Sequence, residues 1–266
     1  MSRVVVKGLW KWYGETSVLE AINLEVESGS FVTLVGASGC GKTTFLRLLL
    51  GQEAPSRGAI TVDGAPLPDE PGPERGIVFQ RYSVYPHLSV LGNVALGLEF
   101  QGSRWLGRLF GARRRRAFER AETLLQAVGL GHARGAMPAS LSGGMQQRVA
   151  IAQALILEPK MLLLDEPFGA LDPGIRNDMH ELVIELWRKS RMTVFMVTHD
   201  IREAFKLGTR VLTFDKVRLD PHAPHAYGAT ITYDLAGFNR PAPQEEKARC
   251  APAPSPSPDH SAPVPS

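Results

Sequence analysis

Apolar positions along the chain form two kinds of pattern, short continuous runs and longer stretches with helical spacing. The short runs predict buried strands at residues 30–35, 75–79, 161–165, 193–197 and 210–214. The helical stretches lie between or after these strands, at residues 44–50, 141–157, 175–189 and 201–207. Strands that alternate with helices in this way predict an α/β fold built on a mostly parallel sheet.

The beginning of the chain departs from that alternation. Residues 3–26 have the pattern of β-structure with a turn at Gly14, and residues 58–64 add a strand that ends in an Asp-Gly turn. Two tryptophans here, Trp10 and Trp12, are interpreted as strand packing. Residues 65–74 are rich in proline and acid and are predicted to form a loop.

A second departure is a helical region from about residue 90 to 128, which predicts an all-helical insert between strands. One face of it is predicted to be apolar and consists of Val94, Leu96, Leu98, Phe100, Phe118, Ala121, Leu124, Leu125 and Val128. Beyond about residue 238 the chain is Pro, Ala and Ser with few apolar side chains, which predicts a disordered tail. We therefore expect a domain at 3–238, with a helical subdomain at about 82–158, and a tail at 239–266.

A glycine-rich segment after strand 30–35 fits the phosphate-binding pattern G-x-x-x-x-G-K-[ST]. It consists of Gly36, Ala37, Ser38, Gly39, Cys40, Gly41, Lys42 and Thr43, and Thr44 continues into a helix. Glycines let successive backbone N–H groups point into one concavity, and the helix N-terminus adds partial positive charge. Lys42 is placed to reach the β- and γ-phosphates, and Thr43 to hold Mg²⁺. A chance match has odds on the order of one in a hundred, so we predict a nucleoside triphosphate site.

Polar residues follow three of the predicted strands. Asp165 and Glu166 end a buried strand, where Asp165 would hold Mg²⁺ and Glu166 would polarise the attacking water. Gln80 follows another strand and is placed to touch Mg²⁺ or that water, the alternative being a surface glutamine. His199 follows a third strand; a lone histidine is more often structural, but this position also suits a γ-phosphate contact.

A second helix start also has the features of an anion site. Ser142 is a good N-cap, and Gly143 and Gly144 leave N–H groups exposed at the helix N-terminus, although an ordinary cap has the same sequence. Tyr13 lies at a strand end before Gly14, where it could stack on an adenine, a contact worth about 1–3 kcal/mol.

Composition narrows the class of protein further. The chain has 266 residues, 44% of them hydrophobic, and a formal charge of +3, so net charge does not indicate a nucleic-acid partner. The two cysteines, Cys40 and Cys250, do not suggest a disulfide and favour a reducing compartment. No apolar run is long enough to span a bilayer, so any membrane role is expected through a partner.

An arginine-rich segment at 104–120 leaves two interpretations open. It contains Arg104, Trp105, Leu106, Arg108, Leu109, Phe110 and the run Arg113, Arg114, Arg115 and Arg116. One interpretation is an interfacial segment on anionic lipid, where each basic residue could add about 1 kcal/mol. The other, which the sequence favours, is a solvated helix start with a few packed apolar residues.

Together these residues resemble the ATP-binding cassette (ABC) family, in particular the nucleotide-binding subunit of a bacterial-type importer. The resemblance covers residues 4–214. Tyr13 matches the adenine-stacking aromatic of the family, residues 36–43 match the Walker A loop, and Gln80 matches the Q-loop. Residues 141–145 match the signature, with Met145 where the general pattern has Gln; 162–165 match Walker B and Glu166 the catalytic glutamate. Residues 170–172 match the D-loop, and His199 matches the switch histidine. The sequence of 165–172 is similar to nitrate, sulfonate and taurine importers, and 227–233 faintly resembles importers of urea- or guanidine-like solutes.

The resemblance implies a P-loop NTPase (RecA-like) core with an N-terminal antiparallel β-subdomain and an inserted α-helical subdomain. It implies ATP and Mg²⁺ as cofactors, and a homodimer in which Ser142 and Gly144 close on ATP held by a second copy. Gln80 and residues 82–88 would relay closure to a membrane permease at the cytoplasmic face, with an external solute-binding protein acting indirectly. The alternative is a soluble ABC ATPase acting on nucleic acid or ribosomes, which usually has tandem cassettes or long insertions. A GTPase is disfavoured because no Asn-Lys-x-Asp segment is present.

Overall fold

The computed structural model describes residues 2–80, 84–103, 107–218, 222 and 225–238. The expectations for 81–83, for Arg104, Trp105 and Leu106, and for the tail at 239–266 therefore fall outside the described residues.

A six-stranded sheet forms the centre of the fold, in the order β10-β9-β3-β8-β7-β6. Its strands are β3 (Phe31–Gly36), β6 (Arg75–Val78), β7 (Met161–Asp165), β8 (Thr193–Val197), β9 (Arg210–Asp215) and β10 (Thr230–Ala236). The first five pair in parallel, and β10 pairs antiparallel with β9 at one edge. Parallel strands bring their carboxyl ends to one edge, so the segments after β3, β6, β7 and β8 meet there.

A second, antiparallel sheet has the order β2-β1-β4-β5. It consists of β1 (Val4–Tyr13), β2 (Thr16–Val26), β4 (Arg57–Val62) and β5 (Ala65–Pro66). The loop predicted at 65–74 thus begins with a two-residue strand, because Ala65 and Pro66 pair with Val62 and Thr61. The rings of Trp10 and Trp12 stack on each other with centroids 5.4 Å apart.

The described residues also form six α-helices, besides two short 3-10 helices at Gly131–Ala133 and Pro138–Ser140: α1 (Lys42–Leu50), α2 (Val90–Gly102), α3 (Gly111–Ala127), α4 (Gly143–Leu155), α5 (Pro173–Ser190) and α6 (Ile201–Leu207). Helix α1 ends at Gly51, whose φ of 79° makes a left-handed C-cap. Helix α2 begins at Ser89, whose side chain accepts a hydrogen bond from the N–H of Gly92. None of the helices among the residues described has the length and apolar character needed to cross a bilayer.

Two apolar cores lie on opposite faces of the six-stranded sheet. One core packs α1 between the two sheets and contains Phe45, Leu34 and Leu9. The other packs α2–α5 against the sheet and contains Val94, Leu164 and Trp187. Helix α1 packs against both sheets, and this fixes the position of the loop before it. The packing is stable because burial of apolar surface is the main stabilising term in folding.

The apolar face predicted for the helical region is wrong at Phe100. Val94, Ala121, Leu125 and Val128 are fully buried, but Phe100 is 58% exposed. It belongs to the last turn of α2, where the chain leaves the insert core for the connection to α3. Strand β10 also has no counterpart among the predicted strands. Its register places Tyr233 opposite Thr213, with Tyr233 64% exposed.

Candidate functional site

The loop between β3 and α1 has a backbone that only glycine adopts readily. Gly36 has φ 148° and Gly41 has φ 86°. A Cβ on Gly36 would lie 2.1 Å from the carbonyl oxygen of Phe214, so β9 approaches this loop too closely for any side chain. The close approach fixes the loop as a turn whose successive N–H groups lead into the N-terminus of α1, an arrangement suited to a phosphate group.

Lys42 is buried, with only 6% of its surface exposed, and its side chain folds over the loop. Its ammonium group donates hydrogen bonds to the carbonyl oxygens of Gly36 and Ala37, both at 2.8 Å, and lies 3.5 Å from Sγ of Cys40. The positive charge is therefore held at the loop itself.

Thr43 and Asp165 bring two oxygen ligands together at the start of α1. The hydroxyl of Thr43 donates to Oδ1 of Asp165 over 3.1 Å, across two elements far apart in sequence. Burial raises the pKa of the Asp165 carboxyl; the Thr43 hydrogen bond opposes that shift and the neighbouring Glu166 adds to it. A hydroxyl and a buried carboxylate this close are the hard oxygen donors that Mg²⁺ prefers, and a bound cation would favour the ionised carboxylate.

Glu166 lies at the point where three strand ends converge. Its backbone is left-handed, with φ 46°, and its N–H donates to the carbonyl oxygen of Val197 at 3.0 Å. Its Oε2 accepts a hydrogen bond from Nε2 of Gln80 at 3.2 Å and lies 3.6 Å from Nδ1 of His199. Left-handed backbone is costly for a residue with a side chain, so the surrounding structure maintains it, as is common at functional sites.

The structure therefore brings Gln80, Glu166 and His199 together through one carboxylate oxygen. His199 is 64% exposed and Glu166 is 27% exposed by side chain, so the group opens to solvent at the edge of the sheet. The paired Thr43 and Asp165 lie next to it through the Asp165–Glu166 peptide. The described residues contain no cluster of three or more His, Cys, Asp or Glu side chains placed to hold a metal. A cation here would thus depend on Thr43, water and nucleotide oxygens as well as on Asp165.

A buried network behind His199 is a feature that sequence reasoning missed. Glu203 of α6 accepts hydrogen bonds from the hydroxyl of Thr198 and lies 2.6 Å from Nε2 of His180 on α5. Asp200 caps α6 by accepting from the N–H groups of Arg202 and Glu203. His180 and Glu203 are both nearly fully buried. Their contacts hold the residues on both sides of His199, while its ring stays exposed.

The sequence offers little that distinguishes Glu203 from an ordinary surface glutamate of a helix. The one available signal is its place three residues after Asp200, where a glutamate can fold back on a helix N-terminus. The partner His180 comes from a different helix, and only the fold brings it close.

The start of α4 presents exposed N–H groups. Ser142 and Gly143 are exposed, and the Ser142 hydroxyl accepts from the N–H of Met145 at 3.3 Å. Gly144 is buried instead, and a Cβ there would lie 2.5 Å from Cγ2 of Ile175 on α5. The first turn has no acidic residue, so the partial positive charge of the helix end is not neutralised locally.

Tyr13 lies at the end of β1 with 44% of its surface exposed. Its hydroxyl donates to Glu53, which also forms ion pairs with Lys11 at 3.1 Å and Arg47 at 3.6 Å. The ammonium of Lys11 lies 5.0 Å from the centre of the ring. Partial burial and Glu53 raise the pKa of Tyr13, and a hydrogen bond with the side chain of Thr44, in the first turn of α1, opposes that shift. An exposed ring held in this way is a suitable platform for a base.

Comparison with known proteins gives a consistent result. A family model described as "ABC transporter" matches residues 19–169. The nitrate import ATP-binding protein NrtD of Synechocystis is 46% identical over 198 residues, which are 74% of this chain and 71% of that protein. The aliphatic sulfonates import ATP-binding protein SsuB of Pseudomonas putida is 40% identical over 269 residues, 98% of this chain and 91% of that protein.

Among solved structures, a dimeric post-hydrolysis state of the ATP-binding cassette MJ0796, bound to ADP and Pi, is similar with a TM-score of 0.69. The two are 30% identical, and the match covers 88% of this chain and 98% of that one. The P-loop NTPase fold predicted from the sequence is thereby confirmed.

Proposed function

The chain belongs to the ABC transporter family, and on that premise we propose that it is the ATP-binding and ATP-hydrolysing subunit of an importer for a small solute. The observation that carries this proposal is the convergence of Gln80 and His199 on one oxygen of Glu166, beside the phosphate loop. A chain that bound ATP only as a structural element would not need three polar side chains at one exposed point.

The proposed nucleotide site uses residues from three parts of the fold. The N–H groups of 36–43 and the N-terminus of α1 surround the phosphates, and Lys42 turns its ammonium from the loop carbonyls to the β- and γ-phosphates. Thr44 continues the first turn of α1 beside these groups, and Tyr13 stacks on the adenine. Thr43 and Asp165 hold Mg²⁺, with Gln80 as a further ligand. The cation supplies charge neutralisation for the phosphates when it is bound.

The proposed role of Glu166 is to orient and polarise the water that attacks the γ-phosphorus. Its carboxylate already accepts from Gln80 and lies near His199, so it is positioned before nucleotide arrives. The Gln80 amide can donate through its nitrogen to Glu166 while its oxygen contacts the cation or the attacking water. His199 would donate to the γ-phosphate and lose that contact when the phosphate leaves.

The exposed start of α4 is proposed to complete the site on a second copy of the chain. Ser142, Gly143 and the N–H of Gly144 form an anion-binding helix end. The likeness to a dimeric cassette bound to ADP and Pi supports this assembly. ATP would then favour the closed dimer, because only the closed state gives the γ-phosphate contacts from both copies.

The rest of the proposed system consists of a permease and an external solute-binding protein. A permease docks on the helical subdomain at about 82–158 of the ATPase domain at 3–238, and the chain lies at the cytoplasmic face of the membrane. The import names of NrtD and SsuB support this arrangement and favour a nitrate- or sulfonate-like solute over a urea-like one. An external solute-binding protein would act through the permease.

The test separates ATP binding from ATP turnover with Glu166→Gln. This variant is expected to bind Mg-ATP with wild-type affinity and to lose hydrolysis by at least about a hundredfold, within the range for loss of a general base. The control is Glu185→Gln, an exposed glutamate of α5 paired with Lys189 at 2.6 Å, which should hydrolyse ATP normally. Normal turnover by Glu166→Gln would remove Glu166 from this role.

A further inference from the structure

The connection between α2 and α3 exposes two aromatic rings. Phe100, in the last turn of α2, is 58% exposed, and Phe110, which precedes α3, is 68% exposed. Single exposed apolar residues are ordinary on a protein surface. Two aromatic rings at the same end of a helical pair, with arginines around them, form a patch of the kind that marks an interaction site. We call Phe100, Arg108, Phe110, Arg113 and Arg116 the α2–α3 tip.

Close packing on two glycines fixes the conformation of the described residues at this tip. Leu109 is 8% exposed and packs on Gly102, where a Cβ would lie 2.8 Å from Cδ2 of Leu109. Gly107 similarly packs on Phe100, with a Cβ position 2.9 Å from Cε1 of the ring. Burial of Leu109 fixes the chain so that its neighbours Arg108 and Phe110 point outward. The exposure of Phe110 therefore follows from the packing of its neighbour Leu109.

The arginines of the tip lie where they weaken the helix that carries them. Arg113 and Arg116 fall in the first turns of α3, which has no acidic residue in its first turn. The positive end of the helix dipole lies there, so the cation of Arg113 in the first turn is unfavourable, and the effect is weaker at Arg116 in the second turn. Such an arrangement costs stability in the isolated chain, and an anionic partner would offset that cost.

Among the described residues of α2, α3 and their connection, the arginines without an acidic partner lie at the tip. Two arginines of the run have acidic partners, Arg114 with Glu99 at 3.2 Å and Arg115 with Glu119 at 2.8 Å. Farther along α3, Glu122 pairs with Arg134. In contrast, Arg108, Arg113 and Arg116 are exposed and have no acidic partner among the residues that the structure describes. The buried residues of α3 begin one turn later, with Ala117, Ala121 and Leu125 in the insert core.

We propose that the α2–α3 tip binds the surface of an anionic membrane directly, with the arginines on phospholipid phosphates and the two rings at the headgroup level. Phenylalanine on the apolar side of an interfacial segment is buried at the boundary between headgroups and acyl chains, and arginine forms bidentate hydrogen bonds with phosphate. The structure thus favours the lipid interpretation of this segment over that of a solvated helix start, because Phe100 and Phe110 are exposed beside the arginines, whereas Leu109 is packed. Membrane attachment would then have a second component besides the permease.

The test measures co-sedimentation of the full chain with vesicles of phosphatidylcholine, with and without an equal share of phosphatidylglycerol. The chain should prefer the anionic vesicles, and added salt should weaken binding because it screens exposed charges. Arg113→Gln with Arg116→Gln should lower the partition coefficient about thirtyfold, from a factor of about five for each arginine. Phe110→Ala should lower binding to both kinds of vesicle.

The matched control is Lys7→Gln with Arg57→Gln, which removes two exposed cations from the antiparallel sheet and should leave binding unchanged. Equal binding to both kinds of vesicle, or an equal loss in the control pair, would overturn the proposal. It would also be overturned if the arginine variant bound vesicles normally but no longer co-purified with the membrane subunit, since the tip would then be a protein contact. ATP hydrolysis by the arginine variant should be normal, so this outcome is independent of the role of Glu166.

Discussion

Gly144 offers a test of why the second anion site has a glycine inside its helix. In Gly144→Ala the new Cβ would lie 2.5 Å from Cγ2 of Ile175. That methyl is attached directly to a β-branched carbon on a helix, where χ1 is nearly fixed, so the side chain cannot turn away. The start of α4 must instead move away from α5. The N–H of residue 144 remains in the variant, so only its position changes.

The magnitude follows from two opposed terms. Alanine is favoured over glycine within a helix by about 1 kcal/mol, and overpacking a filled site costs about 1–3 kcal/mol. The net loss in the free energy of unfolding is therefore about 1 kcal/mol, or roughly 2–4 °C in Tm for a domain of this size. A displacement of about 1 Å at the helix start is expected to lower kcat by up to about a hundredfold.

The assay pairs this variant with Ile175→Leu, which removes the offending methyl and conserves the volume. Ile175→Leu alone should cost less than about 1.5 kcal/mol, and the double variant should recover both Tm and most of the ATPase rate. If the double variant regained its stability but stayed inactive, the glycine would be required for approach to the phosphate, and the packing argument would be refuted. The double-mutant cycle isolates this coupling because the two residues are in contact.

Three further variants test nucleotide binding by Lys42, the ionisation of Asp165 and the support of His199 by Glu203. Lys42→Met should abolish the thermal stabilisation by Mg-ATP, which for the wild type is about 2.7 kcal/mol at a hundredfold excess over Kd; thermal shift with and without nucleotide measures it. Asp165→Asn should raise the Tm of the nucleotide-free protein at neutral pH, because burial raises the pKa of Asp165 and its ionised form is disfavoured on folding. This gain in Tm should vanish below the ordinary aspartate pKa, where both side chains are neutral. The variant should also lose its Mg²⁺-dependent turnover. Glu203→Gln should lower kcat and leave the KM for ATP unchanged, because it loosens the segment around His199; a loss of Tm with unchanged kcat would leave Glu203 a purely structural role.

Much of the fold could be predicted because its signals are local. The loop at 36–43 has a fixed spacing of glycines and lysine, and the buried strands are continuous apolar runs between helical patterns. Parallel order then implies that Gln80, Asp165 and His199 share one edge of the sheet. Their grouping around Glu166 depends on that topology, which a pattern of strands and helices already predicts.

Other features depend on contacts between distant parts of the chain and could not be predicted. The network of His180 and Glu203 joins α5 to α6, and each residue alone has the pattern of a surface side chain. Strand β10 is partly exposed and lies at an edge, so its pattern lacks a buried run. Phe100 fits the helical spacing of α2, but spacing cannot show that the core ends before it.

The most direct test of the mechanism is the mass of the Glu166→Gln variant in solution, measured by light scattering with saturating Mg-ATP. If the start of α4 closes on ATP held by a second copy, the mass with ATP should be twice that of one chain, and it should return to that of one chain with ADP. A Glu166→Gln chain that is fully loaded with ATP and stays monomeric would contradict this arrangement.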